Sequence, residues 1–257
     1  MGISFILDIG GHMRKNYLLV GVIAFVVVIG VVVFLFLSPD DSEDIIYSDV
    51  LVTDTVVTSL YDMVNPSDDV VSLYDLYQSE TFTNEYILGC AIVMYYKDNP
   101  DTSGEISSND VELYVQRIFG DISYKNSSGF VANPLVSSFS YDANSDTYHC
   151  ALAGGGSNTE SMDRKIVSAK KSDTEYIIIE KSIVISEDNL GKEEDEYSLS
   201  IYDDVSHTNL LDTISFSSNN RPSVSIEDYI EEASTYEYHF EFNGENFIFK
   251  SFENVNL

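Results

Sequence analysis

The chain has 257 residues, of which 44% are apolar, so it can bury a core and is not a disordered tail. Its 43 acidic and 13 basic residues give a formal net charge of −30 at pH 7, which repels phosphate backbones and argues against nucleic-acid binding. The charge leaves two interpretations, a solvated acidic surface or a surface that attracts cations or basic partners.

The stretch Tyr17–Leu37 contains 21 residues and no charge. At about 1.5 Å per residue, a helix of this length crosses a ~30 Å hydrocarbon core, which predicts a transmembrane anchor at 17–37. The basic pair Arg14–Lys15 precedes it and the acidic pair Asp40–Asp41 follows it. The positive-inside rule therefore predicts a cytoplasmic N-terminus at the cell membrane, with the bulk of the chain extracellular.

The residues before the anchor form a short cytoplasmic segment, 1–16, in which Met13 is an alternative translation start. A cleaved signal peptide is the alternative to an uncleaved anchor. Its apolar region is usually shorter, about 7–15 residues, and ends at a site between small residues. Phe34–Leu37 offers no such site, so an uncleaved signal-anchor is preferred.

An acidic stalk is predicted at 38–52 and an extracytoplasmic domain at 53–257. The first part of this domain, 53–120, has the apolar period of helices, and Thr83 and Ser107 are N-cap signals. Gly120 is a stop signal. Helices are predicted at 53–64, 69–78, 84–97 and 108–119. Their inward stripes are Val56, Leu60, Met63 and Val64; Val70, Leu73, Tyr74 and Tyr77; Ile87, Ala91, Met94 and Tyr95; and Val111, Tyr114, Val115, Ile118 and Phe119.

The remainder, 121–257, has mainly the period of strands. Hairpin turns are predicted at Ala143–Ser145, at Ser172–Asp173 and at Asn243-Gly244, and a short helix capped by Ser225 is predicted at 226–233. Helices followed by antiparallel strands predict an α+β domain, with the helices packed on one face of a meandering antiparallel sheet.

Two loops match only part of a known ligand-binding motif. Asp142, Asn144 and Asp146 match the opening of a calcium loop, but Thr147 replaces its glycine and Ala153 its closing glutamate. The triglycine stretch 154–159 lacks the lysine and the following helix of a phosphate loop. A tight turn and a flexible connector are the preferred interpretations, so no metal or cofactor site is predicted.

The cysteines and histidines suggest no catalytic site. His149 and Cys150 are adjacent on a predicted strand, so their side chains point to opposite faces and cannot form an activated pair. His207 and His239 belong to no motif. The pair Cys90 and Cys150 permits a disulfide in an oxidising compartment, and two buried thiols are the alternative. The acidic pairs Glu227/Asp228 and Glu231/Glu232 are expected by chance in so acidic a chain. No catalytic residue is predicted.

Several patterns together resemble the single-pass surface proteins of low-GC Gram-positive bacteria. They are the MRKN start at Met13, the helix DVELYVQRIFG, the triglycine connector and the closing hairpin YEYHFEFNGENFIFKSF. The order of helices and strands is also similar to that of nuclear-transport-factor-2-like domains, in which helices cover a curved sheet. These resemblances imply a fold and a location, and no activity.

The sequence therefore predicts a membrane-anchored module that is integral through one helix and is not an enzyme. It would bind an extracellular protein, a polymer or a small molecule. The alternatives are a surface hydrolase and an accessory subunit of a membrane complex.

Overall fold

The computed structural model describes residues 45–66, 81–102, 104–131, 133, 135–151, 160–189 and 196–255. The chain divides into two compact units between Ile46 and Tyr47, and the second unit contains all the described helices and strands. The predicted anchor 17–37, the predicted helix 69–78 and the triglycine loop lie outside the described residues. None of the helices in the described part of the chain is long and apolar enough to cross a membrane.

Three α-helices are present in the described residues: α1 (Thr55–Val64), α2 (Asn84–Asp98) and α3 (Ser108–Phe119). The predicted caps are confirmed, because Thr83 Oγ1 accepts from the backbone of Tyr86 at 3.2 Å and Ser107 Oγ accepts from that of Asp110 at 3.1 Å. Gly120 ends α3 with a φ of 68°, a conformation that glycine adopts without strain.

The predicted inward stripes are confirmed for most of α1 and α3. Val56 is an exception, because it is 42% exposed while its neighbour Val57 is fully buried. Helix α2 differs more, since Tyr86–Val93 are all buried while Met94 and Tyr95 of the predicted stripe are only half-buried. The reason is that α2 packs against α1, α3 and a strand, so it has no solvent-facing side over most of its length.

The structure contains two antiparallel sheets where a single sheet was predicted. The smaller has four strands: β2 (Glu105–Ser107), β3 (Gly129–Phe130), β4 (Ser138–Asp142) and β5 (Thr147–Ala151). They pair in the order β2-β5-β4-β3. The larger has seven strands: β1 (Ser48–Val50), β6 (Glu160–Lys171), β7 (Glu175–Asn189), β8 (Glu196–Tyr202), β9 (Leu210–Ser217), β10 (Ser234–Phe242) and β11 (Phe247–Asn254).

Strand β7 is the branch point of the larger sheet. One of its edges pairs with β6 over Tyr176–Ser186, whereas the other pairs with β10 over Glu175–Ser182 and with β8 over Val184–Asn189. We call β1, β6, β10, β11 and the first half of β7 the long wing. The second half of β7 with β8 and β9 is the short wing.

Two hydrophobic clusters lie on the two sides of this sheet. The larger joins the three helices, the small sheet and the long wing, and is rich in aromatic rings such as Phe119, Tyr238 and Phe249. The smaller is formed mainly by Ile183, Leu199 and Ile201. Because side chains alternate along a strand, neighbouring Ile183 and Val184 of β7 enter different clusters.

Two further predictions need correction. The predicted stalk 38–52 contains β1, which belongs to the larger sheet because its three residues pair with the distant strand β6. The predicted helix 226–233 is only a 3-10 turn at Ile226–Asp228, although Ser225 caps it as predicted. A segment this short gains too few hydrogen bonds to offset the cost of helix nucleation. The α+β class with antiparallel sheets is confirmed.

Candidate functional site

Glu180 is the most buried acidic side chain of the described residues, with no exposed surface, on the helix-facing side of β7. Its Oε2 accepts a hydrogen bond from the hydroxyl of Tyr238 at 3.1 Å and another from the hydroxyl of Tyr61 on α1. The two rings meet edge to face, with centroids 5.5 Å apart. A buried carboxylate is costly unless it is paired and hydrogen-bonded, and the two phenols help to supply those bonds.

Two more polar side chains extend this group, which we call the Glu180 cluster: Glu180, Tyr61, Asn65, Arg164 and Tyr238. Arg164 Nη1 donates to Asn65 Oδ1 at 2.6 Å, and its guanidinium carbon lies 5.8 Å from the centre of the Tyr61 ring. Asn65 Nδ2 in turn donates to the carbonyl of Tyr61 at 2.9 Å, at the C-terminal end of α1. The cluster therefore connects α1 to β6, β7 and β10.

The chemistry of the Glu180 cluster is that of a structural link. Its carboxylate already accepts from two phenols, and the adjoining phenol of Tyr236 is held protonated because burial, with the nearby charges of Asp204 and Glu180, raises its pKa. Sequence reasoning missed the cluster, although a signal was present. Glu180 has the same strand parity as the buried residues Tyr176 and Ile178.

The two cysteines lie in different surroundings and are free thiols, so no disulfide joins them in the structure. Cys90 is buried on α2 and faces the carbonyl of Val64, with sulfur and oxygen 3.8 Å apart. Cys150 is half-buried and interacts with the side chain of Tyr96. Burial raises the pKa of both thiols, which is the reverse of what an activated thiolate needs.

Each described histidine has a glutamate as its neighbour. His149 Nδ1 lies 3.2 Å from Oε1 of Glu105, its pairing partner on the adjacent strand. The other two pairs are His207 Nε2 with Glu160 at 3.6 Å and His239 Nε2 with Glu237 at 3.3 Å. The three described histidines thus contact three different glutamates.

The residues that resemble a calcium loop form the turn of the β4–β5 hairpin. Asp142 Oδ1 accepts from the backbone of Asn144 at 2.9 Å, and its Oδ2 accepts from Ser145 Oγ at 3.0 Å. Asp146 Oδ1 accepts from the hydroxyl of Tyr141 at 2.7 Å. These hydrogen bonds lower the pKa of both carboxyl groups. The hairpin predicted with its turn at Ala143–Ser145 is confirmed.

No group of three or more potential ligand side chains is placed to hold a metal ion within the described ranges. The acidic pair Glu227/Asp228 lies in the 3-10 turn, where Lys165 Nζ contacts Glu227 Oε1 at 2.5 Å. Glu231 and Glu232 follow it in the turns that lead to β10. The structure assigns none of these carboxylates a catalytic partner.

A cleft of about 740 Å³ opens between the C-terminal end of α3 and the turn that joins β10 to β11. Asn246 fixes its shape, because its Nδ2 donates to the carbonyl of Arg117 at 3.1 Å. Leu113, on one wall, is 62% exposed. The cleft is lined by Leu113, Gln116, Arg117, Gly120, Asp121, Asn243, Glu245 and Asn246.

A smaller cleft of about 370 Å³ lies on the short wing, beside Arg221. That guanidinium is paired with Glu187, with Nη2 and Oε2 3.0 Å apart. The larger cleft combines an exposed apolar side chain with several hydrogen-bonding groups, so it is the better candidate for a binding surface. Comparisons with protein-family models, with curated proteins and with solved structures find no match for the chain.

Proposed function

We propose that the chain is a membrane-anchored extracytoplasmic module that acts by binding a partner at the cell surface. The observation that carries this proposal is the uncharged stretch Tyr17–Leu37, with Arg14–Lys15 before it and Asp40–Asp41 after it. A stretch of this length and composition is long enough to span a bilayer, and the charge asymmetry orients it.

The cleft beside α3 supports a binding role. Its volume of about 740 Å³ lies within the range of ligand pockets, and its wall offers the amides of Gln116, Asn243 and Asn246 next to apolar Leu113. The thiols of Cys90 and Cys150 have a raised pKa, which disfavours the rival hydrolase if a cysteine were its nucleophile.

Protease treatment of intact cells tests the proposed location and membrane orientation of the chain. We expect added protease to remove the 38–257 portion from intact cells or protoplasts, while a cytoplasmic protein of the same cells stays whole. Digestion after permeabilisation provides the control for protease sensitivity. Protection of 38–257 until the membrane is opened would contradict the proposed orientation.

Photo-crosslinking tests the binding role. A photoreactive residue at Leu113 should give a discrete adduct in native membranes, and the same residue at Leu210 should not. Leu210 is the matched control, since it is also more than half exposed but lies on β9 of the short wing. Equal labelling from both positions, or none from Leu113, would contradict a binding role for the cleft.

The second candidate function is an accessory subunit of a membrane complex. It is favoured by the exposed apolar side chains of Leu113, Phe242 and Tyr47. An adduct between position 113 and an integral membrane protein would support this role over that of a small-molecule binder.

A further inference from the structure

One end of the larger sheet carries the point at which the chain enters the domain. The hydroxyl of Tyr47, just before β1, donates a hydrogen bond to the carboxylate of Glu175 at the start of β7. The neighbouring carbonyl of Thr174 accepts from the backbone of Phe242 at 2.7 Å, at the end of β10. The entry of the chain, the β6–β7 turn and the β10–β11 turn therefore lie together, and we call this the entry end.

The α3 cleft belongs to the same end. Asn243 and Asn246, which follow Phe242 in the β10–β11 turn, line the cleft, and Leu113 forms its opposite wall. The hydrogen bond from Asn246 Nδ2 to the carbonyl of Arg117 ties the turn to α3. The entry end thus consists of two hairpin turns, the start of β1 and one side of α3.

Large apolar side chains are exposed at this end. Tyr47 is 36% exposed, Phe242 40% and Leu113 62%. Ile45 and Ile46, which precede Tyr47 in the sequence, are 49% and 86% exposed. A large apolar side chain in water is disfavoured unless something covers it, and several together indicate a contact surface.

The tether limits where this surface can be. Nine residues, 38–46, separate Leu37 at the end of the predicted anchor from Tyr47. A chain spans at most ~3.3–3.6 Å per residue, so Tyr47 lies within roughly 35 Å of the outer end of the anchor. Strand β7 alone, with 15 residues at ~3.3 Å each, is about 50 Å long. With the proposed anchor in the bilayer, this upper bound on the distance applies to Tyr47 and not to the far end of β7.

We propose that the entry end rests on the lipid bilayer, with Phe242 and Tyr47 in the interfacial region and the α3 cleft beside the contact. This inference rests on the proposed membrane anchoring. Aromatic side chains favour the membrane–water interface, where an apolar ring and a polar tip are both accommodated. The occupant is a neutral, zwitterionic bilayer surface, because a net charge of −30 is repelled by anionic headgroups.

Several charged groups of the entry end are already paired within the protein, and the acidic side chains of Asp121 and Glu245 in the cleft add to the repulsion of anionic headgroups. Glu175 accepts from the Tyr47 hydroxyl, and Lys250 Nζ lies 3.4 Å from Glu241 Oε2. Arg117 Nη1 is paired with Asp98 Oδ2 at 2.7 Å. Groups that already have a partner within the protein gain less from lipid charges, so the apolar side chains carry the contact.

The absence of tryptophan from the sequence allows a direct test, since a single introduced Trp is the only indole in the chain. Phe242→Trp reports on the entry end. Phe216→Trp is the matched control, because Phe216 is half-buried on β9 and pairs with Tyr197, which in turn pairs with Asn189 at the far end of β7. Each full-length variant is reconstituted into phosphatidylcholine vesicles with or without brominated acyl chains.

We expect brominated lipid to quench on the order of half of the emission from position 242 and little of that from 216, since an interfacial side chain reaches the headgroup–acyl boundary. Equal quenching at the two positions would overturn the inference. Blue-shifted emission at 242 that brominated lipid does not quench, and that grows with protein density, would assign the surface to a second copy and also overturn it.

Flotation of the same vesicles separates this inference from the proposed function. If the chain does not float with vesicles, the anchoring itself is wrong. If it floats and position 242 is not quenched, anchoring stands and only the membrane contact of the entry end is wrong. Tyr47→Trp is a second probe of the same surface, used if circular dichroism shows that Phe242→Trp unfolds the domain.

Discussion

The long and short wings of the larger sheet share strand β7 but are stabilised in different ways. In the long wing, the helices cover one face of the sheet and bury aromatic rings, among them Phe119 and Phe249, whose centroids are 6.1 Å apart. In the short wing, the cluster around Ile183 and Ile201 is smaller and mainly aliphatic, and the 3-10 turn at Ile226–Asp228 covers it.

The difference shows how strand β7 contributes side chains to both hydrophobic clusters. Where β7 changes partner from β10 to β8, Ser182, Ile183 and Val184 are all fully buried, so both of its faces are covered. A strand covered on one face needs only alternating apolar residues, whereas this one needs an almost continuous apolar run. The runs YIII and IVI of β7 meet that need. The polar residues Glu180, Lys181 and Ser182 separate them, and phenols satisfy the buried carboxylate of Glu180.

The largest effect is expected in the aromatic core of the long wing. Phe119→Ala should lower the free energy of unfolding by about 3–5 kcal/mol, since a buried ring is replaced by a cavity. Phe119 is 4% exposed and packs against Phe82, Tyr86 and Phe249. Denaturant unfolding of fragment 45–257 measures the loss. Leu113→Ala on the exposed side of α3 is the control, and an equally small effect of both changes would show that the ring is not packed.

The next effect concerns the link between α1 and the long wing. Glu180→Gln should cost about 1–3 kcal/mol, because the amide brings two N–H donors to a site where Tyr61 and Tyr238 already donate. Glu253→Gln, on exposed β11, is the matched control. Thermal unfolding measures the stability of both variants. An unchanged stability of Glu180→Gln would mean that the cluster tolerates an N–H donor at this position and does not depend on the carboxylate charge.

A third pair of changes compares the wings directly on the same strand. Ile178→Val and Ile183→Val remove one methyl group from fully buried positions in the larger and smaller cluster. Each should cost about 0.5–1.5 kcal/mol, and we expect the higher cost at Ile178 because it belongs to the larger cluster. Equilibrium unfolding in urea measures which variant loses more unfolding free energy. A larger loss for Ile183→Val would mean that the smaller cluster is the more tightly packed of the two.

The smallest effect is expected in the β4–β5 turn, which lies outside both wings. The folded-state pKa of Asp142 is lowered by its hydrogen bonds, so its contribution to stability is present above the unfolded pKa near 4 and is lost as the pH falls through the folded pKa. Asp142→Asn should therefore lower the Tm slightly at pH 7, and the difference from the original chain should disappear in acid.

Calcium serves as the control for this turn. Millimolar calcium should leave the Tm of both chains nearly unchanged at physiological salt, because the Asp142 oxygens already accept hydrogen bonds from Asn144 and Ser145. A saturable rise of several degrees that Asp142→Asn abolishes would establish a calcium site instead.

Local signals predicted much of the structure. The N-caps at Thr83 and Ser107, the stop at Gly120 and the hairpin turn at Asn243-Gly244 depend on residues only a few positions apart, so their hydrogen bonds can be anticipated from the sequence. The buried stripe of α3 could be predicted for the same reason, because its apolar residues recur every three to four positions. The β4–β5 hairpin was also predicted correctly, because its turn residues are adjacent in the sequence.

The sequence by itself thus determined the α+β class, most helix ends and the hairpins, because caps, turns and apolar periods act over short distances. Only the tertiary structure decided that β7 would change partners, that α2 would be buried on nearly all sides and that Glu180 would bind Tyr61 and Tyr238. It also decided that Tyr47, Phe242 and the α3 cleft share one end of the domain. These outcomes depend on which distant segments pair, and neither periodicity nor local propensity specifies such contacts.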